Sequence, residues 1–88
     1  MPRFFGHMHT PAGIEVDRTG LEFPSFEAAY LAICQCIMEI MSEADVRKIL
    51  PERCWFEITD AAGRCLMKVP FAEAVEQALR ALRDAARR

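Results

Sequence analysis

Glycine and serine are scarce in this chain: its 88 residues include only four glycines, and Ser25 and Ser42 are its only serines. The sequence therefore contains no glycine-rich loop of the kind that holds a phosphate. Ser25 is better placed as a helix cap, and Ser42 lies on the polar arc of a helix, so neither is a candidate nucleophile. We expect a protein without enzymatic activity and without a cofactor.

Long apolar runs and a strong charge are also missing. No run approaches the roughly 20 apolar residues that a membrane span needs, and Met1–Gly13 lacks the apolar core of a secretory signal. The net charge of −2 gives no electrostatic reason to expect nucleic acid. Four of the last nine residues are arginines, which we interpret as the solvated end of a helix. We expect a cytoplasmic protein that binds neither membranes nor nucleic acid.

The four cysteines do not form a disulfide framework. Cys34 and Cys36 are separated by about 200° on a helix and cannot bridge each other there. Cys54 and Cys65 fall in strand-like segments without a framework spacing. In a cytoplasmic protein we expect all four thiols to be reduced and largely buried, where they act as small hydrophobic side chains.

The longest segment with a helical period is Ser25–Ala44, which we predict to be the central helix. Pro24 precedes it, and the Ser25 hydroxyl can cap it by accepting a backbone N–H. The polar side chains of Gln35, Glu39, Ser42 and Glu43 are confined to an arc of about 100°. A sheet on one side would cover only half of the remaining apolar surface. We therefore expect a second covering, either by the C-terminal helix or by a second subunit.

The rest of the pattern predicts an α+β fold in a single domain, residues 1–88. We expect a small antiparallel sheet of about four strands, in the order ββαββα, packed against the central helix and followed by a C-terminal amphipathic helix. The predicted strands are Pro2–His9, Ile14–Asp17, Cys54–Thr59 and Arg64–Val69, and the predicted second helix is Phe71–Arg87. Val46–Leu50 either continues the central helix or forms a separate turn.

Asp60–Gly63 predicts a tight turn between the last two strands. We place Thr59 opposite Arg64, because this register gives the hairpin one wholly apolar face. That face carries Cys54, Phe56, Ile58, Cys65, Met67 and Val69. A slip of one residue would move Lys68 onto it. A three-residue loop with a glycine bulge would produce such a slip, and this alternative stays open.

His7 and His9 are the only histidines, and they lie two residues apart on the first predicted strand. Their side chains share one face at a separation of about 7 Å, which allows both rings to bind one metal ion. A third ligand would have to come from elsewhere, for example Glu15 across a hairpin. The ordinary alternative is a pair of exposed strand histidines, and we prefer it.

The candidate interaction surface lies on two elements. Leu31 and Met38 widen the apolar arc of the central helix beyond what a sheet covers. Trp55, Leu66 and Lys68 share the outer face of the predicted hairpin, where Lys68 can make a cation–π contact with Trp55.

Several short motifs follow one another in a fixed order along residues 1–76. They are Met1-Pro2-Arg3-Phe4-Phe5-Gly6-His7; a turn from Asp17 to Gly20 followed by Phe23–Ala29; Phe56–Arg64, which contains Thr-Asp-Ala-Ala-Gly-Arg; and Val69-Pro70-Phe71. This pattern resembles a family of small, uncharacterised bacterial proteins, common in alphaproteobacteria and classified as a domain of unknown function. Gly6 departs from the usual bulky aromatic residue of that pattern. The resemblance implies no activity and no functional residue.

More remotely, the turn that begins at Asp17, Pro24 and the helix start are similar to HicB-type antitoxins. That likeness implies a partial, catalytically inactive RNase H-like fold and a small toxin as partner. Our leading hypothesis is a protein-interaction module that acts by association as a homodimer. The alternative is an antitoxin-like or regulatory partner of another small protein, and a metal-binding or enzymatic protein comes third.

Overall fold

A computed structural model describes residues 1–43 and 50–87 of the chain. Its elements are β1 (Arg3–Thr10), β2 (Gly13–Glu15), β3 (Leu21–Glu22), α1 (Phe26–Glu43), a 3₁₀ helix (Pro51–Arg53), β4 (Trp55–Thr59), β5 (Cys65–Pro70) and α2 (Phe71–Ala86). The predicted α+β fold, with an antiparallel sheet and a C-terminal helix, is confirmed. The short strand β3 raises the number of strands from about four to five.

Two predictions fall on residues outside the described ranges. They are the end of the central helix at Ala44 and, apart from Leu50, the segment Val46–Leu50, which we predicted either to continue that helix or to form a separate turn. Within residues 1–43 and 50–87, neither helix has the length and hydrophobicity that a bilayer crossing requires.

Strand β1 pairs with three other strands because it is the longest. The sheet order is β2-β1-β4-β5, and all these pairs are antiparallel. Strand β3 pairs with the start of β1, where Arg3 lies opposite Glu22. The predicted strands were placed close to the observed ones, but the pairing of Leu21–Glu22 with β1 was missed.

Helix α1 begins as predicted, with the Ser25 hydroxyl accepting the backbone N–H of Ala28 at 3.2 Å. Its buried side packs on the sheet, and α2 packs beside it. The hydroxyl of Tyr30 donates to the Glu73 carboxylate at 2.8 Å, which joins the two helices. Of the two coverings left open for the central helix, α2 is the one that this fold supplies.

The hairpin register predicted from the sequence is wrong. Thr59 lies opposite Cys65 rather than Arg64, and a bulge then places Phe56 opposite Val69, two residues beyond the predicted partner. The turn is a three-residue loop, in which the backbone N–H of Asp60 donates to the carbonyl of Arg64 and the Asp60 carboxylate accepts the backbone N–H of Arg64. This loop is the alternative that the sequence left open, and Gly63 takes φ +82° in it.

The predicted consequence of that loop, Lys68 on the core face, does not follow, because the bulge at Leu66 adds a second one-residue shift. Two shifts restore the side-chain alternation. Val69 is therefore fully buried, and Lys68 remains exposed. Cys65, predicted on the apolar face, is exposed beside the bulge.

Both helices lie on one face of the sheet. The core joins the sheet residues Phe4, Phe56, Ile58 and Val69 to α1 and α2, and the Phe56 and Phe71 rings stack with centroids 5.8 Å apart. The opposite face, called the outer face below, carries Phe5, His7, His9, Trp55, Glu57, Thr59 and Lys68.

Candidate functional site

Three side chains from neighbouring strands stack across the outer face. The rings of His9 and Trp55 are nearly parallel, at an angle of 9° and with centroids 3.6 Å apart. The Nζ of Lys68 lies 4.9 Å from the centroid of the Trp55 ring, which is a cation–π contact. Since β1 and β5 flank β4 on opposite sides, the indole is held between His9 and Lys68.

A carboxylate completes this cluster. The Nε2 of His9 lies 3.1 Å from Oε1 of Glu57, with 18% and 26% of the two side chains exposed. Glu57 also lies directly opposite Lys68 in the sheet. Opposite charges at such cross-strand positions stabilise a sheet by up to about 1 kcal/mol, so the position of Glu57 opposite Lys68 is favourable.

His7 is fixed from another direction. The backbone N–H of Asp17 donates to its Nδ1 at 3.1 Å, and its Nε2 lies 3.4 Å from the Thr59 hydroxyl. Because a backbone N–H can only donate, Nδ1 of His7 carries no proton, and the neutral ring has its proton on Nε2. Thr59 is buried under this contact.

These contacts oppose the metal site that the sequence suggested. Both nitrogens of His7 are already engaged, and one nitrogen of His9 faces Glu57. Glu15, the suggested third ligand, lies opposite Met8 rather than His9 and so projects to the other face of the sheet. In the described part of the chain, no group of three His, Cys, Asp or Glu side chains is placed to hold a metal ion. The preferred interpretation, a pair of exposed strand histidines, is wrong, because both rings are half-buried and hydrogen-bonded.

The five predicted interaction residues do not form one surface. Leu31 is exposed and Met38 is half-buried on α1, in the helical layer. Lys68 is exposed on the outer face, Trp55 is half-buried beneath it, and Leu66 is exposed at the bulge. The structure separates the helix pair from the sheet trio by the thickness of the core.

The apolar stripe of α2 is covered only in its first half. Phe71 and Ala74 are buried against the core, and Val75 is half-buried. Further along the same stripe, Leu79 is 46% exposed and Leu82 is 67% exposed. We call Leu79, Leu82 and Ala86 the distal stripe. The sequence predicted the apolar stripe itself. How much of the stripe the core covers depends on the tertiary structure and could not be predicted.

The charges of α2 are divided along its length. Glu73 and Glu76 lie in the first half. Arg80 and Arg83 lie in the second half, with Asp84 as the exception, and Arg87 caps the end of the helix. The order matches the helix dipole. It also makes the helix electrostatically complementary to a copy of itself that runs in the opposite direction.

The cysteines offer no activated nucleophile among the described residues. Burial raises the pKa of the thiols of Cys34, Cys36 and Cys54 above the ordinary value, which reduces the reactive thiolate fraction at neutral pH. All four are free thiols. Three are buried or half-buried as expected, and Cys65 is exposed.

Comparison with known proteins gives a family and no activity. A family model described as a domain of unknown function, DUF6894, matches residues 3–72. No curated protein and no solved structure matches the chain. The matched range includes the outer face and the Asp17 turn, and it ends just after α2 begins, so the distal stripe lies beyond it.

Proposed function

The chain belongs to the DUF6894 family of domains of unknown function, and we propose that it is a non-catalytic protein-interaction module that forms a homodimer through the distal stripe of α2. The observation that carries this proposal is the exposure of Leu79 and Leu82 on the stripe whose first half seals the core. Apolar side chains at this spacing on a helix are favoured when a second helix covers them.

An antiparallel copy of α2 fits this stripe. If the two-fold axis crosses the helix pair between Leu79 and Leu82, Leu79 of each copy packs on Leu82 of the other, and Val75 packs near Ala86. Such a contact is self-complementary, as a two-fold interface requires. Because the distal stripe offers few apolar side chains, we expect a weak dimer with dissociation in the micromolar range.

The charges support the same direction. Glu76 and Arg83 lie on one flank of the stripe, seven residues apart. In an antiparallel pair, Glu76 of each copy faces Arg83 of the other, so the interface gains two ion pairs. In a parallel pair the two copies of this flank lie on opposite sides of the interface, so Glu76 and Arg83 would not face each other and these ion pairs would be absent.

The absence of catalysis and the cytoplasmic location are part of the proposal. The rings of His7 and His9 are engaged by backbone and side-chain partners rather than aimed into a cleft. Cys34, Cys36, Cys54 and Cys65 are free, which suits a reducing compartment.

Light scattering behind size exclusion, in reducing buffer over a range of concentrations, tests the proposal. We expect the wild type to approach twice the 10.0 kDa mass of one chain as its concentration rises. The variant Leu79→Glu/Leu82→Glu should remain monomeric, because two carboxylates would be buried without partners. Gln77→Glu/Ala81→Glu is the matched control. It adds the same two charges on the opposite, exposed side of α2 and should therefore dimerise at concentrations close to those of the wild type.

Two results would contradict the proposal. A wild-type mass near one chain at every concentration excludes the homodimer. A dimer that survives Leu79→Glu/Leu82→Glu excludes the distal stripe. In the first case the alternative is an antitoxin-like or regulatory partner of another small protein, the role suggested by the likeness of the Asp17 turn and helix start to HicB-type antitoxins of bacteria. Co-expression with a small protein encoded beside this one would test it.

A further inference from the structure

A cleft of about 220 Å³ lies between α1 and the edge of the sheet formed by β1 and β3. Ala32 and Ile33 line it from α1, and Phe23, Phe56 and Ile58 line it from the opposite side. Phe56 and Ile58 are core residues, so the floor of the cleft is the hydrophobic core itself.

Small residues keep the cleft open. Helix α1 contributes Ala29 and Ala32 to its lining, so we expect a longer side chain at position 32 to occupy part of the space. On β1 the facing residue is Gly6, where an added Cβ would lie 2.7 Å from Cδ1 of Ile33. Ile33 is therefore packed closely against the strand backbone at Gly6.

The lining determines what kind of molecule could fit. Asp17 and Cys36 contribute its only polar side chains. Asp17 already accepts backbone N–H groups from Gly6, Thr19 and Gly20, so it offers little to a ligand beyond a negative charge. That charge disfavours an anionic headgroup. The described part of the chain contains no buried side-chain polar atom that lacks a hydrogen-bond partner.

We propose that this cleft binds a small, neutral, apolar molecule, such as a single aromatic ring or a short alkyl chain. The volume supports this size, since an apolar cavity of about 150 Å³ is known to bind benzene. The site is separate from the distal stripe of α2, so it does not depend on the dimer proposed above.

Titration of the ¹⁵N-labelled protein with toluene tests the proposal. We expect amide shift changes at Ala32, Ile33 and Ile58 and a rise of a few degrees in Tm, because a ligand that binds only the folded state stabilises it. The variant Ala32→Leu should fill the cleft and abolish these changes. Gln35→Leu adds the same side chain at an exposed position of α1 and should bind toluene like the wild type. Shift changes elsewhere only, or unchanged binding by Ala32→Leu, would overturn the proposal.

The wild-type cysteines provide a second measurement that does not depend on the folding of a variant. Cys36 lines the cleft, whereas Cys65 is exposed at the hairpin. With toluene at about nine times its Kd, alkylation of Cys36 by iodoacetamide should slow by about tenfold, while Cys65 reacts at its original rate. Equal effects on the two thiols, or none on Cys36, would refute the site. Leu79→Glu/Leu82→Glu should show the same protection, which separates this proposal from the dimer.

Discussion

The carboxylate of Asp17 accepts the backbone N–H of Gly6 at 3.1 Å, and this bond fastens the turn after β2 to the middle of β1. The other carboxylate oxygen accepts the N–H of Thr19 at 3.1 Å and of Gly20 at 2.9 Å. The backbone N–H of Asp17 meanwhile holds the ring of His7. One residue thus organises the turn, the edge of the sheet and part of the outer face.

Replacement of Asp17 by Asn should destabilise the protein by about 2 kcal/mol at neutral pH. The amide retains one oxygen, but its NH₂ group would face a backbone N–H, so at least one of three charge-assisted bonds is lost. Urea unfolding followed by the fluorescence of Trp55, the only tryptophan, measures the change. Asp84→Asn, on the exposed side of α2, is the control and should change stability by less than about 0.5 kcal/mol.

The effect of Asp17→Asn should also depend on pH. Burial raises the pKa of Asp17, but the N–H groups of Gly20, Gly6 and Thr19 lower it more, and the pKa lies below the ordinary value of 3.8. A lowered carboxyl pKa contributes stability that is present above the unfolded-state value and is lost as pH falls through the folded-state value. The difference in the free energy of unfolding between wild type and variant should reach its full value at pH 6 or above, which is about two pH units above the ordinary pKa of a carboxyl group. It should shrink below pH 4. A constant difference would contradict this origin.

Gly20 should tolerate alanine much less well than Gly63. Both have positive φ, +67° and +82°, so each substitution carries the left-handed cost of about 1–2 kcal/mol. At Gly20 the new Cβ would also lie 2.8 Å from the backbone oxygen of Phe4, whereas nothing lies within 4 Å at Gly63. We expect Gly63→Ala to cost about 1 kcal/mol and Gly20→Ala at least about 3 kcal/mol, measured by urea unfolding. Equal costs would mean that Phe4 moves away freely.

The hairpin shows where prediction from sequence ends. Alternation of apolar residues correctly assigned Met67 and Val69 to the core, because a period of two is a local property. The register depends on the loop and on a bulge, and nothing in the sequence around Leu66 indicates that this residue forms a bulge. From Met67 onwards, two compensating shifts produce the same pattern of faces as no shift at all, so the alternation of these residues could not distinguish the two registers.

The outer face was predicted only in part. Trp55 and Lys68 were placed together because both lie on one hairpin. His7 contacts Asp17, which lies 10 positions further along the sequence, and His9 contacts Glu57, which lies 48 positions further along. The pairing of β1 with β4 creates the second contact, and no motif in either strand signals that pairing.

The bond between Tyr30 and Glu73 should couple the two helices measurably. Burial, then the hydrogen bond to Glu73, raises the pKa of Tyr30 well above its ordinary value of 10.0. A raised pKa contributes stability that is present below the unfolded-state value and is lost as pH rises through the folded-state value. Tyr30 is the only tyrosine, so its near-ultraviolet absorbance should show no ionisation at pH 10 in the folded protein, but about half in urea.

A double-mutant cycle measures the same bond at neutral pH. Tyr30→Phe, Glu73→Ala and the double variant should give a coupling free energy of about 1 kcal/mol. Glu76→Ala, one turn further along α2, serves as the control partner and should show no coupling to Tyr30→Phe. The bond would be ruled out if Tyr30 were half ionised at pH 10 in the folded protein and if the effects of Tyr30→Phe and Glu73→Ala on the free energy of unfolding were additive.

Charge reversal should reveal the direction of the proposed α2 pairing. In an antiparallel dimer, Glu76→Arg or Arg83→Glu alone replaces two opposite-charge contacts by two like-charge contacts. At about 0.7 kcal/mol for each contact, either variant should raise the dimer Kd by about tenfold, as measured by sedimentation. An equimolar mixture of the two variants places Arg against Glu at both contacts and should associate as tightly as the wild type. Added salt should reduce all these differences, because exposed charges are screened. In a parallel pair Glu76 and Arg83 do not face each other, so neither single variant should weaken the dimer through these contacts. A dimer that is insensitive to both substitutions would therefore contradict antiparallel pairing along this flank of α2.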